Sequence, residues 1–344
     1  MKHTPLYESH RALGSKFVDF FNWQMPLYYT SIVEEARSTR SKAGIFDVSH
    51  MARFLIKTTS LELLDRIFTN DPKRLESGKS QYTIICNERG GVIDDTVLMR
   101  LDDSQFLLIA NACNHSKVWE WLRLHSKGEV IIDVTEELAS IAIQGPESED
   151  LVERLFNIDL SNLKRFHLIL LDDVIISRTG YTGEDGFEIF APSRSILSLW
   201  EGALSLGGIP CGLGARDILR LEAGYCLYGN ELSEDIDPIT AGLERFVKLN
   251  GRNFIGSEVL RNIIRDGVKE RLVWFKLKEK VIPRKGDEIR YHGVKAGRVT
   301  SGNYSPLFDT GIGMGYVDSK VARDGNTIEV IIRNSPRPGV ISKR

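Results

Sequence analysis

The chain has 344 residues, more than one ordinary core accommodates and suited to two or three domains. Its composition is that of a globular protein, 42% hydrophobic and 27% charged, and 45 Lys and Arg against 47 Asp and Glu leave a net charge of -2. So near-neutral a balance exerts no general pull on nucleic acid or anionic lipid, and no stretch approaches the roughly 18 uncharged apolar residues of a membrane helix.

The opening, Met1-Lys2-His3-Thr4-Pro5-Leu6-Tyr7, has no apolar core of signal-peptide length. A helical pattern runs through Ser31 to Ala43 and stops at Gly44, and Ile45 to Ile56 reads as one extended segment. Ser60 suits the cap of a helix over Leu61 to Phe68, closed by Asn70-Asp71-Pro72. From Gln81 the period becomes two: Tyr82 to Asn87 and Val92 to Leu101 read as strands joined by the loop Glu88-Arg89-Gly90-Gly91. A strand (Gln105 to Ala110), a helix (Ser116 to Leu124) and a strand (Val130 to Val134) follow. The rhythm then recurs: a strand at Leu138 to Gln144, a helix from Pro146 to about Phe156, strands at Leu168 to Arg178 and Phe187 to Ala191, and a helix from Ser193 to Leu206. Two strand sets with interposed helices predict two α+β layers of ferredoxin-like character. Beyond Gly267 the chain turns strand-rich with spaced glycines, the pattern of a small terminal barrel. The cysteines (Cys86, Cys113, Cys211, Cys226) are too scattered to grip a metal or exchange disulfides, and read as reduced thiols in a cytoplasmic protein.

Four places offer chemistry. On a strand from Val92 to Leu101, Asp95 shares its face with Ile93, Val97, Met99 and Leu101, whereas Asp94 shares a more polar face with Arg100. A carboxylate on an apolar face must be hydrogen-bonded, paired or functional, because a bare one costs several kcal/mol. A turn cap or an ion pair remains the plain alternative, and Asp95 is the better candidate of the two. In Thr179-Gly180-Tyr181-Thr182-Gly183-Glu184-Asp185-Gly186-Phe187-Glu188, three glycines at spacing three permit either an ordinary hairpin loop or close approach of backbone to a ligand. Glu188, between Phe187 and Ile189, is placed to accept two N–H bonds from a flat heterocycle.

The segment Gly212-Leu213-Gly214-Ala215-Arg216-Asp217 weakly resembles a dinucleotide loop, with the third glycine missing. In the helix that follows, Arg216 falls on the buried side and suits a carboxylate partner, while Asp217 and Arg220 are spaced for a surface pair. His50, flanked by apolar residues, is more often a satisfied core histidine than a ligand, and no histidines have metal spacing. The aromatics Phe20, Phe21, Trp23, Tyr28 and Tyr29 read as packing.

These segments, together with Thr4 to Tyr7, Gly44 to Met51, Gly78 to Arg100, Gly212 to Gly229, Ser301-Gly302 and Ser305-Pro306, resemble the T protein of the glycine cleavage system along nearly the whole chain. The resemblance implies an α+β, three-domain cloverleaf around a folate-binding opening, with ferredoxin-like α/β layers and a small C-terminal β-barrel. The folate-binding region is set at residues 1–266, as interleaved parts 1–52 with 138–266 and 53–137, and the barrel at 267–344. It also implies an aminomethyltransferase that takes an aminomethyl group from the lipoylated H protein and passes its methylene to tetrahydrofolate, a cosubstrate, with release of ammonia and no metal. Asp95 matches the family's key acid, Glu188 its pterin partner, Tyr181 a folate-pocket residue and Arg216 a folate-contacting arginine. Met51, Tyr82 and Asn111 fall on pocket positions.

Asn22 and Ala52 stand where the family commonly has glycine, and the ending Asn334 to Arg344 lacks its usual Pro-Phe-bearing tail. Two alternatives are folate-dependent demethylases of sarcosine-like compounds and a non-enzymatic folate-binding factor for iron–sulfur proteins. The retained Asp94-Asp95 and full glycine segment speak against the first. Against the second, Asn253-Phe254-Ile255-Gly256 stands where that factor has a cysteine motif.

Overall fold

The computed structural model describes residues 1–343. It is a mixed α and β chain whose contacts divide it into two compact units. One contains residues 1–63, 72–82 and 96–219; the other contains 64–71, 83–95 and everything from Arg220 onward. Among the described residues no helix is long and apolar enough to cross a membrane.

The first unit is built around a six-stranded sheet ordered Leu168–Leu171, Val174–Ser177, Gly186–Pro192, Leu138–Gln144, Gly44–Asp47 and Ile209–Pro210. Its core contains Ile45, Ile141, Ile143, Phe187, Ile189 and Trp200, all essentially inaccessible to solvent. Leu151 and Val152 from the helix Ser148–Phe156, and Ile196, Trp200 and Ala203 from Ile196–Ser205, pack into it. Burial of this apolar area is the main favourable term in holding the helices to the sheet. The strand Leu138–Gln144 has the predicted bounds. The predicted Leu168 to Arg178 strand is instead a hairpin, turned at Asp172 in the left-handed region (φ 51°).

A five-stranded sheet is ordered Lys79–Cys86, Val92–Arg100, Gln105–Ala110, Ala52–Lys57 and Val130–Asp133. Its first two strands pass from one unit into the other along the chain. The extended segment expected over Ile45 to Ile56 is broken at Val48 to Met51, where Asp47 Oδ1 accepts the Ser49 N–H (2.9 Å) and Val48 O accepts the Met51 N–H (3.1 Å). A side-chain acceptor competing for backbone N–H groups turns the chain there. Asn22 closes the hairpin Lys16–Phe20/Trp23–Tyr28 at φ 67°, beside Phe21 at φ 51°. Asn is among the side chains that tolerate such a position, so it serves where glycine is usual. Ala52 is an ordinary buried strand residue opposite Ala110.

In the second unit, six strands from Glu270–Leu277 to Ser335–Ser342 close a barrel, filled by Phe275, Leu277, Ile289, Val299, Val317 and Val330. Ser335–Ser342 completes the barrel by pairing with both Thr327–Ile332 and Glu270–Leu277. Arg220, expected on the surface beside Asp217, is instead 1% exposed and bonds Glu231 Oε2 (3.1 Å) and Ser301 Oγ (2.8 Å). Glu231 also accepts from Leu227 N (2.9 Å) and Thr300 Oγ1 (2.6 Å). An inaccessible pair with its hydrogen bonds completed in this way leaves a costly bare charge when one partner is removed. Glu231→Ala therefore lowers unfolding free energy by about 3–5 kcal/mol in denaturant titration, the scale for a broken buried pair; a loss under about 1 kcal/mol contradicts this.

Candidate active site

Within the first unit, the loop between Val174–Ser177 and Gly186–Pro192 carries Tyr181, and the strand it leads into carries Glu188. Glu188 is half-buried, lies opposite Ser177 in the sheet, and its Oε2 accepts from Thr179 Oγ1 (2.6 Å). A carboxylate has about four acceptor sites, so one hydroxyl leaves it with capacity for a ligand. Tyr181, also half-buried, has the Arg216 guanidinium over its ring, 4.9 Å from the centroid. Burial presses the Arg216 pKa below its usual value, while the negative charge of Glu188 pulls it back up, so the two lie within electrostatic reach. Nη1 of Arg216 is inaccessible and has no hydrogen-bond partner among the described residues. A buried donor left open is uncommon and calls for an explanation. The structure thus brings Tyr181, Glu188 and Arg216 together.

The three loop glycines have different causes. Gly183 has φ 80°, a turn conformation. Gly180 and Gly186 are needed for room: a Cβ would come 1.9 Å from Gln144 Oε1 at the first and 2.6 Å from Gln144 Nε2 at the second. The close approach is to a buried protein amide rather than to a ligand.

The dinucleotide-like segment is likewise filled from within. Gly212 N–H donates to Glu35 Oε2 (2.8 Å), and Glu35 Oε1 also accepts from Tyr29 N (2.6 Å) and Thr30 N (2.9 Å). A carboxylate of the protein therefore occupies the start of the helix Leu213–Glu222, where a nucleotide motif would hold phosphate. Cβ atoms at Gly212 and Gly214 would strike the Leu27 backbone (2.3 Å) and the Ile32 side chain (2.6 Å).

Met51 is half-buried against the clusters containing Phe46 and Met99. Asn111 precedes the short 3-10 turn Ala112–Asn114, accepting from Asn114 N (2.9 Å), and Tyr82 is half-buried on Lys79–Cys86. His50 is 3% exposed with its ring edge-on to Phe20 (5.4 Å), but its Nδ1 has no partner, so it is not a satisfied core histidine. Burial, more than the nearby arginine charges, holds its pKa at about 3, which keeps the ring neutral.

Sequence reasoning missed the neighbouring chain of Asp47, His10 and Tyr29. Asp47 accepts from Thr4 Oγ1 (2.6 Å), lies 2.9 Å from His10 Nε2, and His10 Nδ1 meets the Tyr29 hydroxyl at 2.9 Å. The His10 ring thus links the Asp47 carboxylate to the Tyr29 hydroxyl through its two nitrogens. Burial would raise the Asp47 pKa, yet bonds from His10, Thr4 and Ser49 outweigh it and bring it to about 2. No motif announces this network; its members are far apart in the chain.

The strand Val92–Arg100, whose first part belongs to the second unit, carries Asp94 and Asp95 there. Asp94 is fully buried and Asp95 half-buried, so the face shared by Val92, Asp94, Thr96 and Leu98 is the more enclosed one, contrary to the expectation from apolarity. The expected charge partner is engaged elsewhere: Arg100 donates to Leu75 O (2.9 Å), Asp102 O (3.2 Å) and Asp103 (3.3 Å). Asp95 stands within electrostatic reach of Cys226, whose thiol pKa is raised well above the usual value by burial first, then by Glu231 and Asp95. Cys226 is therefore a neutral thiol, not a nucleophile. Among the described residues no three His, Cys, Asp or Glu side chains gather to hold a metal ion.

Comparison with known proteins agrees with this architecture. The GCVT N-terminal domain matches residues 6–251 and the glycine cleavage T-protein C-terminal barrel domain matches 270–344. An aminomethyltransferase of Thermoanaerobacter sp. (strain X514) is 42% identical, covering 99% of this chain and 96% of that protein. One of Aquifex aeolicus (strain VF5) is 44% identical, covering 99% and 94%. The crystal structure of glycine cleavage system aminomethyltransferase T from Bartonella henselae superposes with a TM-score of 0.94 at 33% identity, over 99% of this chain and 97% of that one. The chain belongs to the glycine cleavage T-protein family. Its activity is that of an aminomethyltransferase of the glycine cleavage system.

Two of the buried groups with lowered pKa, His50 and Asp47, contribute to the acid response of the fold. His50 has a folded pKa (about 3) below its ordinary 6.5, so its contribution is complete above 6.5 and is lost as pH falls toward 3. Asp47, depressed from 3.8 to about 2, contributes above 3.8 and is lost over that lower window. His50→Phe flattens the stability curve between pH 6.5 and 3 relative to the parent. Equal slopes in urea titrations of both proteins would show that His50 is not neutral in the folded chain.

Proposed function

We propose that the chain moves the methylene of an aminomethyl group, delivered on the lipoyl arm of an H protein, to tetrahydrofolate in the cytoplasm. Ammonia and 5,10-methylenetetrahydrofolate are the products. Tetrahydrofolate, when bound, supplies the nitrogen that accepts the carbon.

The residues present suit such a molecule. Glu188 retains acceptor capacity for the paired N–H groups of a pterin edge, a charge-assisted contact. Tyr181 offers a ring, and the open Nη1 of Arg216 offers a donor to an anionic or carbonyl oxygen of the ligand. Met51, Tyr82 and Asn111 are assigned to the same pocket by the family resemblance. The unpartnered nitrogen of Arg216, within electrostatic reach of Glu188, is the observation that carries the reading.

Asp95 acts at the transferred carbon. As ammonia departs, positive charge develops there, and a fixed carboxylate stabilises it most where water is scarce. The same group orients the accepting nitrogen and takes part in handling its proton. No activated nucleophile is required, since holding the two reactants in register supplies much of the rate.

The direct test mixes the protein with aminomethylated H protein and tetrahydrofolate and follows both products; equimolar ammonia and methylenetetrahydrofolate are expected, and neither forming would sink the proposal. Asp95→Asn lowers turnover by about 10²-fold or more, the usual scale for an acid–base group, with tetrahydrofolate binding retained. Turnover equal to the parent's would remove Asp95 from the mechanism.

A further inference from the structure

The loop bearing Tyr181 is anchored from below by a side chain that no part of the proposed chemistry uses. Gln144, the last residue of the strand Leu138–Gln144, is 0% exposed. Its Nε2 donates to Thr179 O (3.0 Å) and Phe187 O (3.3 Å), and its Oε1 accepts from Thr182 Oγ1 (2.9 Å). One amide thus grips the loop near both ends and in the middle. Such an amide, buried away from water, tolerates no unmade bond cheaply, so the loop has one well-determined position above it.

Each gripped residue adjoins a ligand-facing one. Thr179, held by its carbonyl, turns its hydroxyl to Glu188 Oε2 (2.6 Å). Thr182, held by its hydroxyl, follows Tyr181, whose ring meets the Arg216 guanidinium at 4.9 Å. From the other side Arg40 donates to Thr182 O (2.8 Å) and pairs with Glu184 (2.7 Å). The absence of a side chain at Gly180 and Gly186 is what admits the amide.

We propose that Gln144 is a positioning residue for the folate site: it sets the place of Glu188 through Thr179 and of Tyr181 through Thr182, and thereby the affinity for tetrahydrofolate. The inference rests on the reading of Glu188 and Tyr181 as folate contacts. It assigns no chemical step to Gln144. Glu188 and Tyr181 hold the pterin remote from the reacting carbon, so weakening their contacts lowers ground-state and transition-state binding alike, and the effect falls mainly on KM and Kd.

The experiment measures tetrahydrofolate Kd by calorimetry, with KM, kcat and Tm, for the parent, Gln144→Ala, Thr182→Val and Glu188→Ala. Gln144→Ala raises Kd and KM about tenfold, equivalent to roughly 1.4 kcal/mol, while kcat stays within about threefold. Thr182→Val, which removes one bond from the same amide and folds where Gln144→Ala does not, moves Kd in the same direction by a smaller factor. A lower Tm with unchanged Kd in both variants makes Gln144 a purely structural residue and overturns the inference. If Glu188→Ala weakens binding while neither other variant does, only the positioning role fails. If Glu188→Ala leaves Kd unchanged, the folate reading of the loop fails and the inference falls with it.

Discussion

Polar groups taken out of water must find partners inside the protein, and that constraint organises this chain more than any single apolar contact. Glu35 collects three backbone N–H groups, Asp47 a threonine, a histidine and a backbone amide, and Gln144 three bonds to one loop. Each joins segments far apart in sequence. The apolar core gives the sheets and helices their cohesion, and these buried polar centres determine which register of loops that cohesion produces.

Among the buried polar atoms that remain open, two bear on the candidate site. Arg216 retains an open buried nitrogen next to Tyr181, and His50 retains an open ring nitrogen. For Arg216, a fixed guanidinium kept partly unsatisfied in the free protein gains most from a ligand that completes it, since the cost of ordering has already been met. Glu188, secured by Thr179 but not saturated, has the same character. The proposed site thus has bonding capacity in reserve, as suits a reaction that depends on holding two reactants together.

Much of this was legible in the sequence where local periodicity decides. Leu138–Gln144 and Gln105–Ala110 have the bounds their alternation implies, and the strand-rich end after Gly267 is a closed barrel. Spacing also singled out the loop glycines and the half-buried Arg216, although Gly180 and Gly186 proved to accommodate Gln144. Long-range pairing was not legible. The break after Asp47 is a local side-chain-to-backbone turn that apolar periodicity does not register, the burial of Asp94 runs against the polarity of its face, and Arg220 turns inward to Glu231 and to Ser301, the latter 81 positions on. Resemblance to a family, resting on ordered segments along the whole chain, named the activity that physics alone left open.

The most direct test is a crystal structure of the protein with tetrahydrofolate bound. The account predicts the pterin edge against the Glu188 carboxylate, Tyr181 in contact with the ligand, and an acceptor newly bonded to Nη1 of Arg216. A bound folate whose pterin lies away from Glu188, with that nitrogen still lacking an acceptor, would contradict it.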